Sequence, residues 1–311
     1  MCKNGILLST AGRIVVLVKM KRDLVLGCIQ DYSWHQISPF VNSLLDTGFQ
    51  GEICFLTRGL DAPTLAELTQ RKITVRALTQ KTSTRPIHPR SRYWRKTRLA
   101  PPWFRRWLFK RYCSLSSMRH FAYREFLQRH SAHYRQIMVI DVGDVVFQAG
   151  PFPDPPAEGL HCFEEWAART LASEPCNAWW LNSLFGGEVL RELGAHPVLC
   201  AGSILGDPNS LLELFDKTTR VLPTVRTILE SGDQACLNLT VRRELPQARI
   251  HKNGDTVLTM GILPETEIHL NSAGQVVNAD GRIVPVLHQY NRHPAWQGKI
   301  AVLKKWLPAT V

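Results

Sequence analysis

The sequence predicts an α/β protein in which a mixed, mainly parallel sheet is flanked by helices and interrupted by a long basic excursion. The first observation is that short apolar runs alternate with segments of helical spacing between residues 24 and 78. The second is the length of 311 residues, which fits one large α/β domain or two smaller ones. The third is a 44% apolar composition with 12 Phe, 9 Trp and 6 Tyr, which excludes global disorder, a collagen-like repeat and a small disulfide scaffold.

The first third of the chain contains alternating strand and helix signals. Each apolar run is short enough for a buried strand, and the segments between them have the spacing of a helix face. Gly48 ends the first helix, and Pro63 lies in the first turn of the second. This alternation predicts parallel βαβ crossovers. The predicted elements are strand 24–29, helix 40–45, strand 52–57, helix 63–70 and strand 73–78.

The remaining elements follow the basic excursion. Helical periodicity over 118–133 leads to an apolar strand, 136–140, which ends at Asp141. The proline-rich stretch 147–156 is expected to leave the sheet. The other predictions are an apolar stretch at 198–205, helix 210–229 interrupted at Pro223, helix 233–244, and short strands with Gly and Asn turns over 256–286.

The cysteines and the N-terminus both favour a cytoplasmic protein. Eight cysteines include no CxxC pair and most lie in apolar runs, which favours buried reduced thiols over zinc ligands. Arg13 interrupts the apolar runs of the first 22 residues, and no run approaches the roughly 20 residues that span a bilayer or resembles a cleavable signal. We interpret residues 1–22 as a tail or edge strand. Residues 23–311 are then a single domain in which 81–112 is a basic, aromatic-rich insertion.

The net charge of +12 comes from one segment. Residues 81–135 hold 15 Lys and Arg and a single acid, Glu125, whereas the rest of the chain is close to neutral. Such a field attracts nucleic acid, an anionic membrane or a phosphorylated substrate. Within it, residues 94–112 interleave Trp and Phe with Arg and Lys, a pattern that suits an anionic bilayer. RNA, a soluble anionic acceptor and a solvated basic surface are the alternatives, and nucleic acid is disfavoured because no RNA-binding motif is present.

The motif MVIDVGDVVFQ at 138–148 is the strongest local signal of chemistry. Asp141 and Asp144 follow an apolar strand, with a glycine between them. In an open α/β sheet, ligands bind beyond the carboxyl ends of the strands. Carboxylates at that edge can hold Mg²⁺ or Mn²⁺ against diphosphate oxygens. The alternative is an acidic turn that caps the next element.

Three weaker motifs follow along the chain. Asp233 and Gln234 begin a predicted helix, where an acid or an incoming anion is favoured and an ordinary helix cap is the alternative. His288 follows an apolar run and is either a metal ligand or a structural histidine. The small residues of CAGSILG at 200–206 allow close approach of a ligand or tight packing.

The order of these motifs resembles that of nucleotide-sugar glycosyltransferases of the GT-A (Rossmann-like) type. Residues 25–57 are similar to the opening strand–helix–strand of those enzymes, and residues 122–144 to their helix–strand–acid segment. The stretches 200–206, 231–238 and 288–296 resemble their acceptor-side strand, their Asp-Gln helix and their late histidine segment. The likeness is to retaining glycogenin-like and galactosyltransferase-like families. It departs from them in the acidic motif, where two residues rather than one separate the aspartates.

The resemblance implies roles for individual residues. Asp141, Asp144 and His288 are expected to bind Mn²⁺ or Mg²⁺, although the altered spacing leaves open which aspartate does so. Asp233, Gln234 and Arg124 are the expected catalytic residues. The expected donor-binding residues are Gln30, Asp31 and Tyr32 at the base, Arg124 and Asp141 near the diphosphate or ribose, and Gly202 and Ser203 at the sugar.

The sequence therefore favours a metal-dependent hexosyltransferase that uses a nucleotide sugar, most simply a UDP-sugar. Its acceptor would be a glycan or a lipid-linked molecule in surface-polysaccharide or glycolipid assembly, with residues 94–112 available for peripheral membrane contact. Retention of configuration is expected from the resemblance. Two alternatives remain, a basic nucleic-acid-binding protein and a metal-dependent phosphohydrolase that uses Asp141 and Asp144. The glycosyltransferase hypothesis requires the two aspartates and His288 to converge around one cation.

Overall fold

The computed structural model describes residues 6–8, 14–16, 21–78, 94–97 and 99–307. These residues form the following strands and helices. The strands are β1 Ile6–Leu8, β2 Ile14–Val16, β3 Arg22–Gln30, β4 Glu52–Arg58, β5 Thr74–Ala77, β6 Tyr134–Ile140, β7 Val145–Phe147, β8 Leu160–Glu164, β9 Leu199–Gly206, β10 Arg249–His251, β11 Val257–Thr259, β12 His269–Leu270, β13 Val276–Val277 and β14 Val286–His288. The helices are α1 Trp34–Asp46, α2 Ala62–Gln70, α3 Pro102–Tyr112, α4 Leu115–His130, α5 Pro175–Phe185, α6 Gly187–Leu193, α7 Pro208–Val221, α8 Asp233–Glu244, α9 Pro294–Gln297 and α10 Ala301–Trp306.

Seven of these strands form the central sheet, in the order β10-β8-β9-β6-β3-β4-β5. Strand β9 is antiparallel to both of its neighbours, β6 and β8. The other neighbouring pairs are parallel. The structure therefore confirms the predicted mixed, mainly parallel α/β class, and it is consistent with the GT-A (Rossmann-like) arrangement.

Helices cover both faces of this sheet because successive strand residues point to opposite sides. Val25 packs in one cluster with the apolar face of α1 and with Leu68 of α2. Leu24 and Leu26 pack in the other cluster with residues of α4, α7 and α8. The near-continuous apolar runs that predicted buried strands reflect this burial on both faces.

The predicted elements are recovered, and their bounds differ for local reasons. Helix α1 begins six residues before the predicted 40–45 because Ser33 and Gln36 form a capping box at its start. Helix α7 ends at Val221 and a 3₁₀ turn that contains Pro223 follows over Leu222–Thr224, so residues 225–229 of the predicted helix 210–229 are not helical. Helix α8 has the predicted bounds.

A smaller, three-stranded sheet positions His288 near the carboxyl end of strand β6. Its order is β11-β14-β7, with β11 parallel and β7 antiparallel to β14. Strand β7 follows β6 after only four residues, so the two sheets meet at the turn that contains Asp144. His288, the last residue of β14, lies opposite Val145 in the register.

The basic insertion is described only in part, since residues 79–93 and 98 lie outside the described residues. From Trp94 onward the chain leads into α3, which lies inside the insertion. In the described ranges, no helix combines the length and apolarity that crossing a membrane requires.

Candidate functional site

The site lies where β6 ends against β9 and β14. Asp141 follows β6 directly, and its backbone N–H donates a hydrogen bond to the carbonyl of Gly202 on β9 (2.8 Å). The carbonyl of Asp144 accepts a hydrogen bond from the N–H of Gln289, which follows β14 (2.8 Å). Backbone contacts between three strands thus fix the positions of both aspartates and of His288.

Asp141, Asp144 and His288 form a cluster with the geometry of a metal site. The His288 Nε2 atom lies 3.7 Å from Asp141 Oδ2 and 3.7 Å from Asp144 Oδ1. One ligand atom from each of the three residues lies within 4.8 Å of the other two. Ligand atoms held about 2.1 Å from one ion are separated by about 3 to 4 Å, so these spacings suit a shared cation better than direct hydrogen bonds.

The environment of the His288 ring supports the same interpretation. His288 is 1% exposed, and its Nε2 has no hydrogen-bond partner among the described residues. On the other edge of the ring, Nδ1 is contacted by Cys200 Sγ (3.4 Å) and by Thr259 Oγ1 (3.5 Å). A buried polar atom without a partner is costly unless a ligand satisfies it. Two carboxylates and one imidazole are a donor set that can hold a divalent cation.

Gly202 is required for the close packing of this cluster. A Cβ atom at position 202 would lie 2.5 Å from Asp141 Oδ2 and 2.6 Å from His288 Cε1. These distances are well below van der Waals contact, so any side chain would displace two of the three candidate ligands. The small residues noted in CAGSILG therefore serve close approach to the cluster. The next residue, Ser203, is buried on β9, and its hydroxyl has no partner among the described residues.

Arg119 of α4 connects this cluster to a second buried acid. Its guanidinium donates hydrogen bonds to Asp141 Oδ1 and to Asp233 Oδ2, the latter at 2.8 Å, and it lies 3.3 Å from the carbonyl of Ala201. Asp233 is the first residue of α8 and is 3% exposed. Burial opposes ionisation of both acids, but the Arg119 charge outweighs it and lowers the pKa of Asp141 and of Asp233.

The two aspartates of the acidic motif differ in their electrostatics. Burial, together with the charge of Asp141, raises the pKa of Asp144 above its ordinary value despite the nearby His288. The pKa of Asp141 is lowered, since Arg119 contacts it directly. The pKa values of two acids that share a site diverge in this way. A bound cation would favour the ionised form of both carboxyl groups.

A cavity of about 530 Å³ opens beside the cluster. Asp141, Asp144 and Arg119 lie on one side of it, and Tyr32, His35 and Tyr290 are among its other lining residues. The volume lies within the range of small-molecule sites. Gly143, between the two aspartates, faces the Tyr32 ring, since a Cβ there would lie 2.9 Å from the Tyr32 hydroxyl. The carboxylates, the guanidinium and the aromatic rings therefore face one space.

The structure does not bring every expected residue to this cavity. Arg124 forms an ion pair with Asp216 of α7, away from the two aspartates, and does not line the cavity. Gln30 and Asp31 do not line it either, although the adjacent Tyr32 does. The Asp31 N–H donates to the carbonyl of Arg58 in a residue with φ of +56°, so this loop turns toward β4.

Gln234 turns away from the cavity into a buried polar cluster. Its Nε2 lies 3.1 Å from Glu165 Oε1 and 3.1 Å from Asn177 Oδ1, and its Oε1 accepts from the Ala201 N–H at 3.3 Å. Burial raises the pKa of Glu165 to about 7. Gln234 thus joins the start of α8 to β9 and to α5, and its contacts are structural.

Arg119 was missed because the resemblance directed attention to Arg124. The chain itself contains a usable signal. Helix α4 precedes the parallel strand β6, so its first turns lie at the edge of the sheet where β6 ends. Arg119 is in those turns, next to Leu115 and Ser116, which also line the cavity. Arg124 lies five residues further along, about 7.5 Å down the helix and on a different face.

Comparison with known proteins supports the fold. No family model and no curated protein sequence matches this chain. Among solved structures, 192 chains match it, one of them the bifunctional glycosyltransferase WbbM in its apo form. The sequence identity is 11% and the TM-score 0.50, over 98% of this chain and 54% of that one. This chain therefore spans about half the length of WbbM. At this identity, the likeness establishes that the fold is one found in a glycosyltransferase.

Proposed function

We propose that this chain is a metal-dependent glycosyltransferase that transfers a sugar from a nucleotide-diphosphate donor, most simply a UDP-sugar. The observation that carries the proposal is the unpartnered His288 Nε2, which faces both Asp141 and Asp144 at 3.7 Å beside the cavity. The likeness in fold to a glycosyltransferase supports it. Asp141, Asp144 and His288 would hold Mn²⁺ or Mg²⁺, which stabilises the negative charge that develops on a departing diphosphate.

Arg119 and Asp233 supply the remaining charge of the site. Glycosyl transfer generates positive charge at the anomeric carbon while the leaving diphosphate becomes more negative. Asp233 is buried beside Arg119 and does not line the cavity, so its carboxylate would act by holding the Arg119 guanidinium in place rather than by contacting the sugar. Arg119 holds Asp141 and Asp233 in fixed positions and presents its guanidinium to the cavity.

The donor would occupy the cavity beside the aspartates. Tyr32 and Tyr290, on the cavity wall next to the aspartates, would contact the nucleoside. Gly202 lies against Asp141 and His288 on β9, next to the buried Ser203, and the two residues would support the cluster from behind. The acceptor would be a glycan or a lipid-linked molecule. Retention of configuration at the anomeric carbon is part of the proposal and rests on the sequence resemblance.

A panel of nucleoside diphosphates with and without Mn²⁺ tests this proposal by thermal shift. We expect UDP with Mn²⁺ to raise the melting temperature by about 3 to 5 °C at 100-fold excess over Kd, since ligand binding then stabilises by about 2.7 kcal/mol. We expect Mn²⁺ alone or UDP alone to give a smaller shift. The absence of any shift with every nucleoside diphosphate would contradict the proposal.

A phosphohydrolase is the second candidate for the same cluster. Such an enzyme would use the aspartates and His288 to activate water against a phosphate ester. Incubation of the protein with UDP-sugars and Mn²⁺, followed by product analysis, separates the two activities. The glycosyltransferase proposal expects UDP and a glycosylated acceptor or free sugar, whereas release of sugar 1-phosphate and UMP would identify hydrolysis of the diphosphate.

A further inference from the structure

The solvent-exposed face of α3 carries large apolar side chains, which is unusual for a protein surface. Leu99, just before the helix, is 98% exposed, and Trp103 and Trp107 are 72% and 56% exposed. The two tryptophans are four residues apart and share one face of the helix. Phe104 contacts both, with ring centroids 5.9 Å and 5.8 Å from those of Trp103 and Trp107. Leu99, Trp103 and Trp107 form what we call the tryptophan ridge.

The opposite face of α3 packs against the body of the protein. The ridge is therefore not the face by which α3 joins the core. Phe109 is 2% exposed and contacts Trp94 edge-to-face with centroids 5.5 Å apart. Arg105 lies over the Trp94 ring (4.6 Å) and donates to the carbonyl of Val225 (3.1 Å). Lys110 lies over Phe121 of α4 at 4.9 Å. These contacts anchor α3 to the body of the protein and hold the ridge outward.

The charge around the ridge selects an anionic partner. Arg111 continues the exposed face one turn beyond Trp107, and Arg95 and Lys96 are exposed just before the ridge. The sequence from 81 to 124 contains no acidic residue. Large exposed apolar side chains surrounded by cations mark a surface for an anionic partner with an apolar layer.

We propose that the tryptophan ridge docks on an anionic lipid bilayer. Tryptophan favours the boundary between headgroups and acyl chains, and flanking Arg and Lys bind anionic headgroups. Leu99 has no π-face for a base, and both indoles already contact the Phe104 ring. A single-stranded nucleic acid instead uses aromatic side chains as stacking platforms for successive bases. The ridge therefore matches a bilayer better than a polynucleotide.

This docking would place the donor cavity beside the membrane. Leu115 of α4 is four positions after Arg111 of α3, a chain distance of at most about 14 Å. Leu115, Ser116 and Arg119 line the cavity. If the proposed function holds, on which this step alone rests, the acceptor is carried by a lipid in the same bilayer.

Flotation of the full chain with vesicles tests the docking. We expect binding to vesicles of phosphatidylcholine with about 30 mol% phosphatidylglycerol, and no binding to phosphatidylcholine alone. We expect the double variant W103S/W107S to lose at least tenfold in affinity at an unchanged melting temperature. The matched control is L65S, which removes an exposed leucine from α2 on the opposite face of the sheet. It is expected to bind as the wild type does.

Three results would overturn the docking proposal. They are the absence of flotation with anionic vesicles at low salt, equal binding by W103S/W107S, and binding to single-stranded oligouridine that is tighter than binding to vesicles and lost in W103S/W107S. The measurement uses neither nucleotide nor metal, so it is independent of the proposed reaction. A chain that floats but shows no shift with UDP and Mn²⁺ keeps the docking surface and loses the glycosyltransferase assignment. A chain whose melting temperature shifts with UDP and Mn²⁺ but which does not float keeps the glycosyltransferase assignment and loses the docking surface.

Discussion

The cluster around Asp141 and His288 and the tryptophan ridge are built in opposite ways. Asp141, Arg119, Asp233 and His288 come from segments up to 169 residues apart in the numbering, and buried backbone contacts fix them. The ridge comes from Leu99 and from two tryptophans on successive turns of α3, and its side chains are exposed to solvent. The comparison teaches that the cluster depends on buried ion pairs between distant segments, whereas the ridge depends on exposed side chains of neighbouring residues. Breaking a buried ion pair should therefore lower the stability of the protein, whereas removing the exposed tryptophans should lower binding without lowering stability.

Removing Arg119 should give the largest effect on stability. The variant R119M leaves Asp141 and Asp233 without their shared cation, and breaking a buried pair typically costs about 3 to 5 kcal/mol. The matched control is R124M on the same helix, whose pair with Asp216 is about 30% exposed on both sides and should contribute at most about 1 kcal/mol. Urea unfolding measures both. Equal losses would mean that Arg119 is no more than a surface charge.

Replacing Asp144 should abolish activity with little loss of stability. The variant D144N removes one ligand oxygen charge, and loss of one electrostatic partner typically lowers turnover by ~10²–10³. We also expect the shift with UDP and Mn²⁺ to disappear. The control D280N removes an exposed aspartate that pairs with Arg282 and should behave as the wild type. A D144N protein that keeps its metal-dependent shift would exclude Asp144 as a ligand.

Glu165 should make stability depend on pH in a direction opposite to that of most acids. Burial raises the pKa of Glu165 from 4.5 to about 7 in the folded state. Between these values the unfolded chain releases this proton while the folded chain retains it. The contribution of Glu165 to the free energy of unfolding therefore falls as pH rises from about 4.5 to 7, by about 3 kcal/mol in total.

The variant E165Q should remove this dependence because glutamine does not titrate and still bonds to Gln234. The quantity to compare is the difference between wild type and E165Q in urea unfolding at each pH, with the exposed E265Q as control. A difference that is constant from pH 4.5 to 7.5 would show that Glu165 ionises normally in the folded protein.

The smallest expected effect on stability is at the ridge. In W103S/W107S no described residue loses core packing, so the free energy of unfolding should change by no more than about 0.5 kcal/mol. The shift with UDP and Mn²⁺ should also be kept. A loss of several kcal/mol would place the tryptophans in the core and remove the contrast between the two regions.

The sequence predicted those features of the fold and the site that depend on the local pattern of residues. The apolar runs of β3, β4 and β6 predicted strands because they are buried on both faces, and helix α8 was predicted with its bounds. The sequence also named Asp141, Asp144 and His288, which the structure brings together. It did not distinguish Arg119 from Arg124, because both lie in one helical pattern and only the placement of α4 against β6 separates them. Glu165, Asn177 and Thr259 gave no signal, since their roles arise from packing between distant segments.

The most direct test of the central claim is electron spin-echo spectroscopy of Mn²⁺ bound to the protein with UDP. If Asp141, Asp144 and His288 hold the ion, the wild type will show coupling from one ¹⁴N nucleus of a coordinated imidazole. The variant H288Q will lose that coupling. Bound Mn²⁺ without nitrogen coupling in the wild type, or the same coupling in H288Q, would contradict the account.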